Sequence, residues 1–229
     1  MTKNLSYENP PLEVLKNKDS HLRIMTDFLI EKKDPVILEF GVERGFSTKV
    51  FTWLAEKVNG KVISIDINDC SQVVKSHTWS FLQSDDLEID YILSKFPDIK
   101  KFGVDIIYID SYHENFHVQK LLLKWFKYVK KDGAIFIDDI DSHPFRKKKD
   151  IWNSIVYDLT DEAIKDFYYS NINHIFYTRY FGENGLAKLT KLSDLFTEAN
   201  KVNKIWNYNI LIKIIYPYLR KISKLLKFK

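Results

Sequence analysis

The feature that most limits the possible folds is a series of short apolar runs separated by stretches of helical periodicity. After Pro35 the chain reads VILEF (36–40), KVISID (61–66), SFLQSD (80–85), VDIIYID (104–110) and AIFIDD (134–139). Each run is too short for a helix and most are rich in β-branched residues, which predicts strands. Between them, FSTKVFTWLAEKVNG, DLEIDYILSKF and ENFHVQKLLLKWFKYVKK carry apolar residues at helical spacing. Runs that are apolar throughout, such as VILEF and DIIYI, belong in a parallel sheet covered on both faces. The expected class is α/β: a Rossmann-like doubly wound sheet, mostly parallel. A further segment, FYYSNINHIFYTRYF, reads as two aromatic strands around a turn at Asn171–Asn173, an antiparallel hairpin completing that sheet.

The 229 residues suit one substantial domain. Three segments are expected. Residues 1–34 form an irregular arm through Asn9-Pro10-Pro11 and then a helix over HLRIMTDFLIEKK, with Asp19-Ser20 as its N-cap. Residues 35–190 form the α/β domain, closed by that C-terminal hairpin. Residues 191–229 form a basic amphipathic tail.

Charge narrows the partners. Residues 201–229 carry eight Lys or Arg and no acid, so residues 1–200 hold 27 basic against 31 acidic side chains, a net −4. A mildly acidic body is a poor binder of phosphate backbones, so nucleic acid is not expected as a partner. Cys70, the single cysteine, cannot form an intramolecular disulfide, which points to a reducing cytosol. The N-terminal MTKNLSYENPPLEVL lacks the apolar core of a signal peptide, and no run approaches the ~20 apolar residues of a membrane span. A cytoplasmic protein is expected.

In a doubly wound sheet ligands bind beyond the C-terminal strand ends, where strand order reverses. That places the chemistry at Glu39–Gly45, Asp66, Asp85, Asp110 and Asp138–Asp139. In Glu39-Phe40-Gly41-Val42-Glu43-Arg44-Gly45 a strand turns into a helix through two glycines, which leave room for a ligand lying against the backbone. Dinucleotide-binding folds use such a turn too, but a pyrophosphate there wants bare N–H groups. Glu39, Glu43, Asp66, Asp85 and Asp110 would repel it. They suit a ligand bearing a sulfonium and an ammonium group, with ribose hydroxyls to donate. S-adenosylmethionine fits this description better than a nicotinamide dinucleotide does, which weakens the alternative of an NAD(P)-dependent oxidoreductase.

At this point the chain resembles the class I methyltransferases. More narrowly it resembles the metal-assisted O-methyltransferases related to the macrolide-sugar methyltransferases and the cephalosporin hydroxylase group. Glu39-x-Gly41-x-x-x-Gly45-x-Ser47-Thr48, Asp66, Ser84-Asp85, Asp110-Ser111-Tyr112-His113 and Phe136-Ile137-Asp138-Asp139 carry the likeness in order. The resemblance implies an S-adenosylmethionine site at Glu39, Gly41, Gly45, Ser47, Asp66, Asp85 and Asp110. It implies a hard divalent ion, Mg²⁺, on the three carboxylates Asp110, Asp138 and Asp139. It implies catalysis through Asp110 and His113, the histidine taking the proton of an acceptor hydroxyl. The function so implied is methyl transfer to a hydroxyl of a small molecule or saccharide. Ser111 stands where the family has Gly, and Asn115 where it has an aromatic residue. These departures lie in the acceptor region and keep a non-catalytic binding or scaffolding protein as the alternative.

Two basic segments remain. Asp141–Lys149, DSHPFRKKK, follows the presumed metal ligands and reads as a solvated loop or as a lid for an anionic acceptor. Residues 205–228 mix Ile, Leu, Tyr and Trp with Lys and Arg, interrupted by Pro217. Such a segment packs on its own domain or on a second subunit, or it lies on an anionic membrane.

Overall fold

The computed structural model describes residue 14 and residues 16–204. Seven strands form one sheet: β1 (Val36–Phe40), β2 (Lys61–Asp66), β3 (Trp79–Gln83), β4 (Val104–Ile109), β5 (Val129–Ile137), β6 (Ile175–Tyr180) and β7 (Leu186–Lys191). Their order is β3-β2-β1-β4-β5-β7-β6. The first five are parallel, and β7 runs antiparallel between β5 and β6. Strand order reverses between β1 and β4, as a doubly wound sheet requires.

Among the described residues seven α-helices cover the sheet: α1 (His21–Ile30), α2 (Phe46–Val58), α3 (Ile89–Lys95), α4 (Pro97–Phe102), α5 (Asn115–Trp125), α6 (His143–Lys147) and α7 (Ile151–Ser170). Successive strand residues point to opposite faces, so each strand feeds two cores. Ile106, Tyr108 and Phe136 pack with Met25, Leu29 and Phe51 beneath α1 and α2. Ile107, Ile109 and Ile137 pack with Leu121, Trp125 and Phe167 beneath α5 and α7. Each such buried side chain contributes roughly 1.5–3 kcal/mol relative to an exposed one. Among the described residues no helix is long and apolar enough to cross a membrane.

Register decides where the functional residues fall. Phe40 pairs with Ile65 and with Ile109, and Ile109 pairs with Ile137. The hydrogen-bond ladder continues past these ends, from Gly41 N–H to the Ile65 carbonyl and from Asp138 N–H to the Ile109 carbonyl. Gly41, Asp66, Asp110 and Asp138 are therefore level along one edge.

The structure corrects two expected elements. The helix expected over residues 114–131 ends at Trp125; a 3-10 turn follows over Phe126–Tyr128, and β5 already begins at Val129. Asp132 is left-handed at φ 59, and pairing jumps from Val104↔Val129 to Ile106↔Ala134. Asp132-Gly133 is thus a bulge within a strand that begins five residues before the expected AIFIDD. The hairpin is also displaced. FYYS, residues 167–170, is the last turn of α7, because Ile164 and Phe167 both lie wholly inside the core. The antiparallel pair is β6 with β7, joined through Gly182 and Gly185, both at positive φ.

The described start of the C-terminal segment lies on the body: Phe196 meets Tyr128 edge-on, and Asn200 N–H donates to Asn171 Oδ1. Residues 205–229, with the amphipathic run of the expected tail, lie outside the described residues, as does most of residues 1–15.

Candidate active site

The strand ends open into a cavity of about 1620 Å³. Small-molecule pockets run to roughly 300–1,000 Å³, so there is room for a donor and an acceptor side by side. The cavity has two poles.

The first pole is the β1–α2 turn. Gly41 has φ 92, and a Cβ there would stand 2.2 Å from the backbone oxygen of Asp110, so only glycine lets β1 and β4 approach this closely. Gly45 is the left-handed N-cap of α2. Asp66 Oδ2 accepts the N–H groups of Val42 (2.8 Å) and Glu43 (3.2 Å), while Oδ1 accepts that of Asn68 (2.8 Å). Burial raises the Asp66 carboxyl, but these backbone donors outweigh it and leave the group below the ordinary carboxylate range.

Glu39 lies beneath this turn and not on the cavity wall. It is fully buried, and its two oxygens accept three hydroxyls, from Ser47 (2.6 Å), Thr48 (2.7 Å) and Ser64 (2.6 Å). Burial pushes its carboxyl up to about 7. Its geometric work is to tie the start of α2 to β1 and β2. Ser47 lines the cavity while donating to it. Asp85 also lines the cavity, is exposed, and caps the Leu87 N–H. Its neighbour Asp86 is the buried member of the pair, accepting Ser111 Oγ at 2.6 Å and standing 3.0 Å from His117 Nε2.

The second pole gathers Asp110, Asp138, Asp139 and His113. Tyr108, buried beneath them, directs its hydroxyl to Asp138 (2.6 Å) and Asp110 (3.1 Å). His113 Nε2 lies 3.5 Å from Asp110 Oδ1 and 3.6 Å from Asp139 Oδ2, and its Nδ1 is buried without a partner. Burial lowers the His113 pKa, but the surrounding carboxylates outweigh it and hold the ring above its usual value. Asp110 is raised, by burial first and then by Asp138 and Asp139, against the pull of His113.

Asp138 behaves in the opposite way. Burial raises it, yet a bond and charge from His21, the Tyr108 hydroxyl and the Asp139 N–H outweigh that and lower it. His21, on α1, sets Nδ1 2.7 Å from Asp138 Oδ1 and Nε2 3.1 Å from the Gly182 carbonyl oxygen. Both ring nitrogens face acceptors, so the partners assign a proton to each and the ring is an imidazolium. Tyr157 on α7 donates to Asp139 Oδ2 at 2.8 Å.

These donors suit a hard divalent ion by chemistry, being carboxylate oxygens beside an ion-accessible cavity. Their arrangement does not close round a point. Among the described residues no group of three His, Cys, Asp or Glu side chains is set to hold a metal. Asp138 already spends its oxygens on His21, Tyr108 and a backbone N–H.

Tyr108, His21, Asp86 and Tyr157 were not singled out by the sequence reading. The Asp85-Asp86 doublet was a visible signal for one of them. His21 had none, lying 117 residues from Asp138.

Residues 38–140 match the model of a family described as a methyltransferase domain. No curated protein matches the chain. Among solved structures, the fold resembles the MycE methyltransferase of the mycinamycin pathway in complex with Mg, S-adenosylhomocysteine and mycinamycin VI. That likeness has a TM-score of 0.55 and 18% identity, over 88% of this chain and 57% of that one. It also resembles an S-adenosylhomocysteine-bound methyltransferase of Podospora anserina, with a TM-score of 0.59 and 11% identity over 75% of this chain and 78% of that one. A third likeness is CalS11, a TDP-rhamnose 3′-O-methyltransferase of calicheamicin biosynthesis, with a TM-score of 0.51 and 16% identity over 79% and 86%. The chain spans only 50–58% of the MycE structures' length. Over residues 38–140 the chain is similar in sequence to a methyltransferase-domain family, and over most of its described length it shares the fold of these solved methyltransferases.

Proposed function

We propose that the chain methylates a hydroxyl oxygen of a small molecule or saccharide, taking the methyl group from S-adenosylmethionine and using a divalent cation. The observation that carries this reading is the convergence of Asp110, Asp138, Asp139 and His113 in the same cavity as the Gly41–Gly45 turn. A turn alone would serve any nucleotide. A carboxylate cluster with a histidine beside it supplies what an unactivated hydroxyl needs. TDP-rhamnose as the acceptor of CalS11, and mycinamycin VI bound to MycE, support that acceptor class.

In this reading Gly41, Gly45, Ser47, Asp66, Asp85 and Asp110 line or shape the donor site, with Glu39 bracing it from below. Asp110, Asp138 and Asp139 would hold the metal, Mg²⁺ by their hardness, once Asp138 gave up one of its present bonds and the three carboxylates closed round the ion. When bound, the donor supplies a sulfonium-activated methyl group and the metal would acidify the acceptor hydroxyl. His113 Nε2 takes the hydroxyl proton, and Asp110 and Asp139 stabilise the imidazolium so formed. Tyr108 and His21 keep Asp138 ionised and fixed. A cytoplasmic setting and a homo-oligomer, both compatible with the chain, complete the reading.

Calorimetric titration with S-adenosylhomocysteine tests its first part: binding in the micromolar range is expected, and no heat at millimolar ligand overturns it. For the second part, excess chelator is expected to abolish transfer to a saccharide acceptor and added Mg²⁺ to restore it. Full activity in chelator removes the metal. His113→Ala is expected to keep donor affinity and lose turnover by roughly 10²–10⁴-fold; an unchanged rate removes the base.

A further inference from the structure

Helix α7 has two faces with different occupants. Its inner face carries Tyr157, bonded to Asp139, and Ile164 and Phe167 in the core. Its outer face carries Ile151, Trp152, Ile155 and Leu159, exposed by 66%, 82%, 45% and 39%. These four fall at helical spacing on one stripe spanning about 100°. A large apolar stripe left in water on a 20-residue helix is costly unless something covers it.

The chain immediately before the stripe is basic. Arg146, Lys147, Lys148 and Lys149 are all exposed. Arg146 pairs with Asp158, whereas Lys147, Lys148 and Lys149 form no ion pair among the described residues. Asp150 is taken up in capping α7 through the Asn153 N–H. Beyond Leu159 the same face turns acidic, with Glu162 and Asp166. The surface therefore has a direction: cationic at the start of α7, apolar along two turns, acidic further on.

Charge selects among the candidate occupants. Residues 205–229 carry six Lys or Arg and no acid and are repelled at the basic end. A second copy lying antiparallel would meet the lysines with Glu162 and Asp166, but four partly exposed side chains fall short of the roughly 800 Å² that each partner of a stable interface buries. A nucleic acid would satisfy the lysines, but three of the four apolar side chains are aliphatic and give bases nothing to stack on. An anionic lipid leaflet satisfies both parts: headgroups for the lysines, and an acyl boundary for Ile, Leu and the amphipathic Trp ring.

We infer that the outer face of α7, with Lys147–Lys149, is a peripheral docking surface for an anionic membrane. The helix enters N-terminal end first, with Trp152 as its deepest side chain and Glu162 and Asp166 held clear. Because Tyr157 on the opposite face touches Asp139, docking sets the acceptor pole about one helix diameter, ~10 Å, from the headgroups. The surface stands independently of the reaction catalysed.

The test is co-sedimentation of the full chain with phosphatidylglycerol/phosphatidylcholine vesicles and with phosphatidylcholine vesicles alone. Two variants accompany it, Trp152→Ser/Ile155→Ser and Lys148→Glu/Lys149→Glu, both at exposed positions, with thermal melts confirming the fold. The full chain is expected to prefer the anionic vesicles. The lysine variant should lose roughly tenfold or more in partitioning, since each Lys near such a leaflet is worth about fivefold. The apolar variant should weaken binding to a similar degree. Variants that bind as tightly as the parent would overturn the assignment and transfer any membrane contact to residues 205–229. Equal or absent binding to both vesicles would also overturn it. So would RNA binding, or a dimer on velocity sedimentation, that the same substitutions abolish.

Discussion

The two poles of the cavity are built differently. The donor pole is made of backbone: glycines at positive φ, N–H groups converging on Asp66, and a buried Glu39 clamped by hydroxyls from α2 and β2. The side-chain hydrogen bonds of Asp66 and Glu39 join residues no more than 25 apart. The acceptor pole is made of side chains brought from far along the chain. His21 reaches Asp138 across 117 residues and Gly182 across 161, and Thr160 holds the His113 carbonyl across 47. A site made of backbone leaves little room for variation. A site made of distant side chains can be retuned one residue at a time, which suits the acceptor role proposed for this pole.

Substitutions can break or sharpen this contrast. The largest effect is expected for Gly41→Ala, because its Cβ meets the Asp110 backbone, which cannot step aside. Strain and overpacking together should cost about 3–5 kcal/mol, read as a lowered Tm with lost S-adenosylhomocysteine binding. A variant that melts and binds normally would show that β1 and β4 yield. Glu39→Ala should come next, at about 3 kcal/mol, since three buried hydroxyls lose their acceptor; donor affinity should fall with it.

At the other pole, His21→Ala should act mainly on acceptor chemistry and on the pH dependence of stability. The His21 ring is raised from 6.5: burial lowers it, but its bond to Asp138 and that charge outweigh burial. Its contribution is therefore complete below 6.5 and lost as pH rises through the raised value. Asp138 is lowered from 3.8, so its contribution is lost as pH falls through that lowered value. Chemical denaturation should show the parent's advantage over the variant to be widest between about pH 4 and 6.5. A constant difference across pH 4–9 would remove the ion pair. The smallest effect is expected for Tyr157→Phe, about 1 kcal/mol for a single hydrogen bond to Asp139, with donor affinity unchanged by calorimetry.

The contrast also explains what the sequence disclosed. VILEF, KVISID and VDIIYI became β1, β2 and β4 almost to the residue, because each is apolar on both faces and bounded by a turn. Asp66 was readable for the same reason, since its work is local, and Gly41 because its turn sits between a strand and a helix that are both plain in the sequence. Where tertiary packing overrode the local pattern, the reading failed. FYYS has strand composition, but Phe167 falls one turn after Ile164 and joins the core as helix. The bulge at Asp132 depends on pairing with β4, which no local pattern announces. Glu39 looked like a ligand carboxylate because it stands next to the glycine turn, yet alternation along β1 turns it inward. His21 could not be found from spacing at all, and the exposed stripe of α7 was hidden because a helix shows its vacant face only once the rest has packed.

The bond between His21 and the Gly182 carbonyl has a consequence for synthesis. Every residue of the glycine turn, and Asp66 with it, has emerged by the time Asp110 is made, but Gly182 follows only some seventy residues later. At ~5–20 residues per second that interval is roughly 4–14 s. A nascent chain thus contains every residue of the Gly41–Gly45 turn before Gly182, the second anchor of His21, has been made, and the surroundings of Asp138 are completed last.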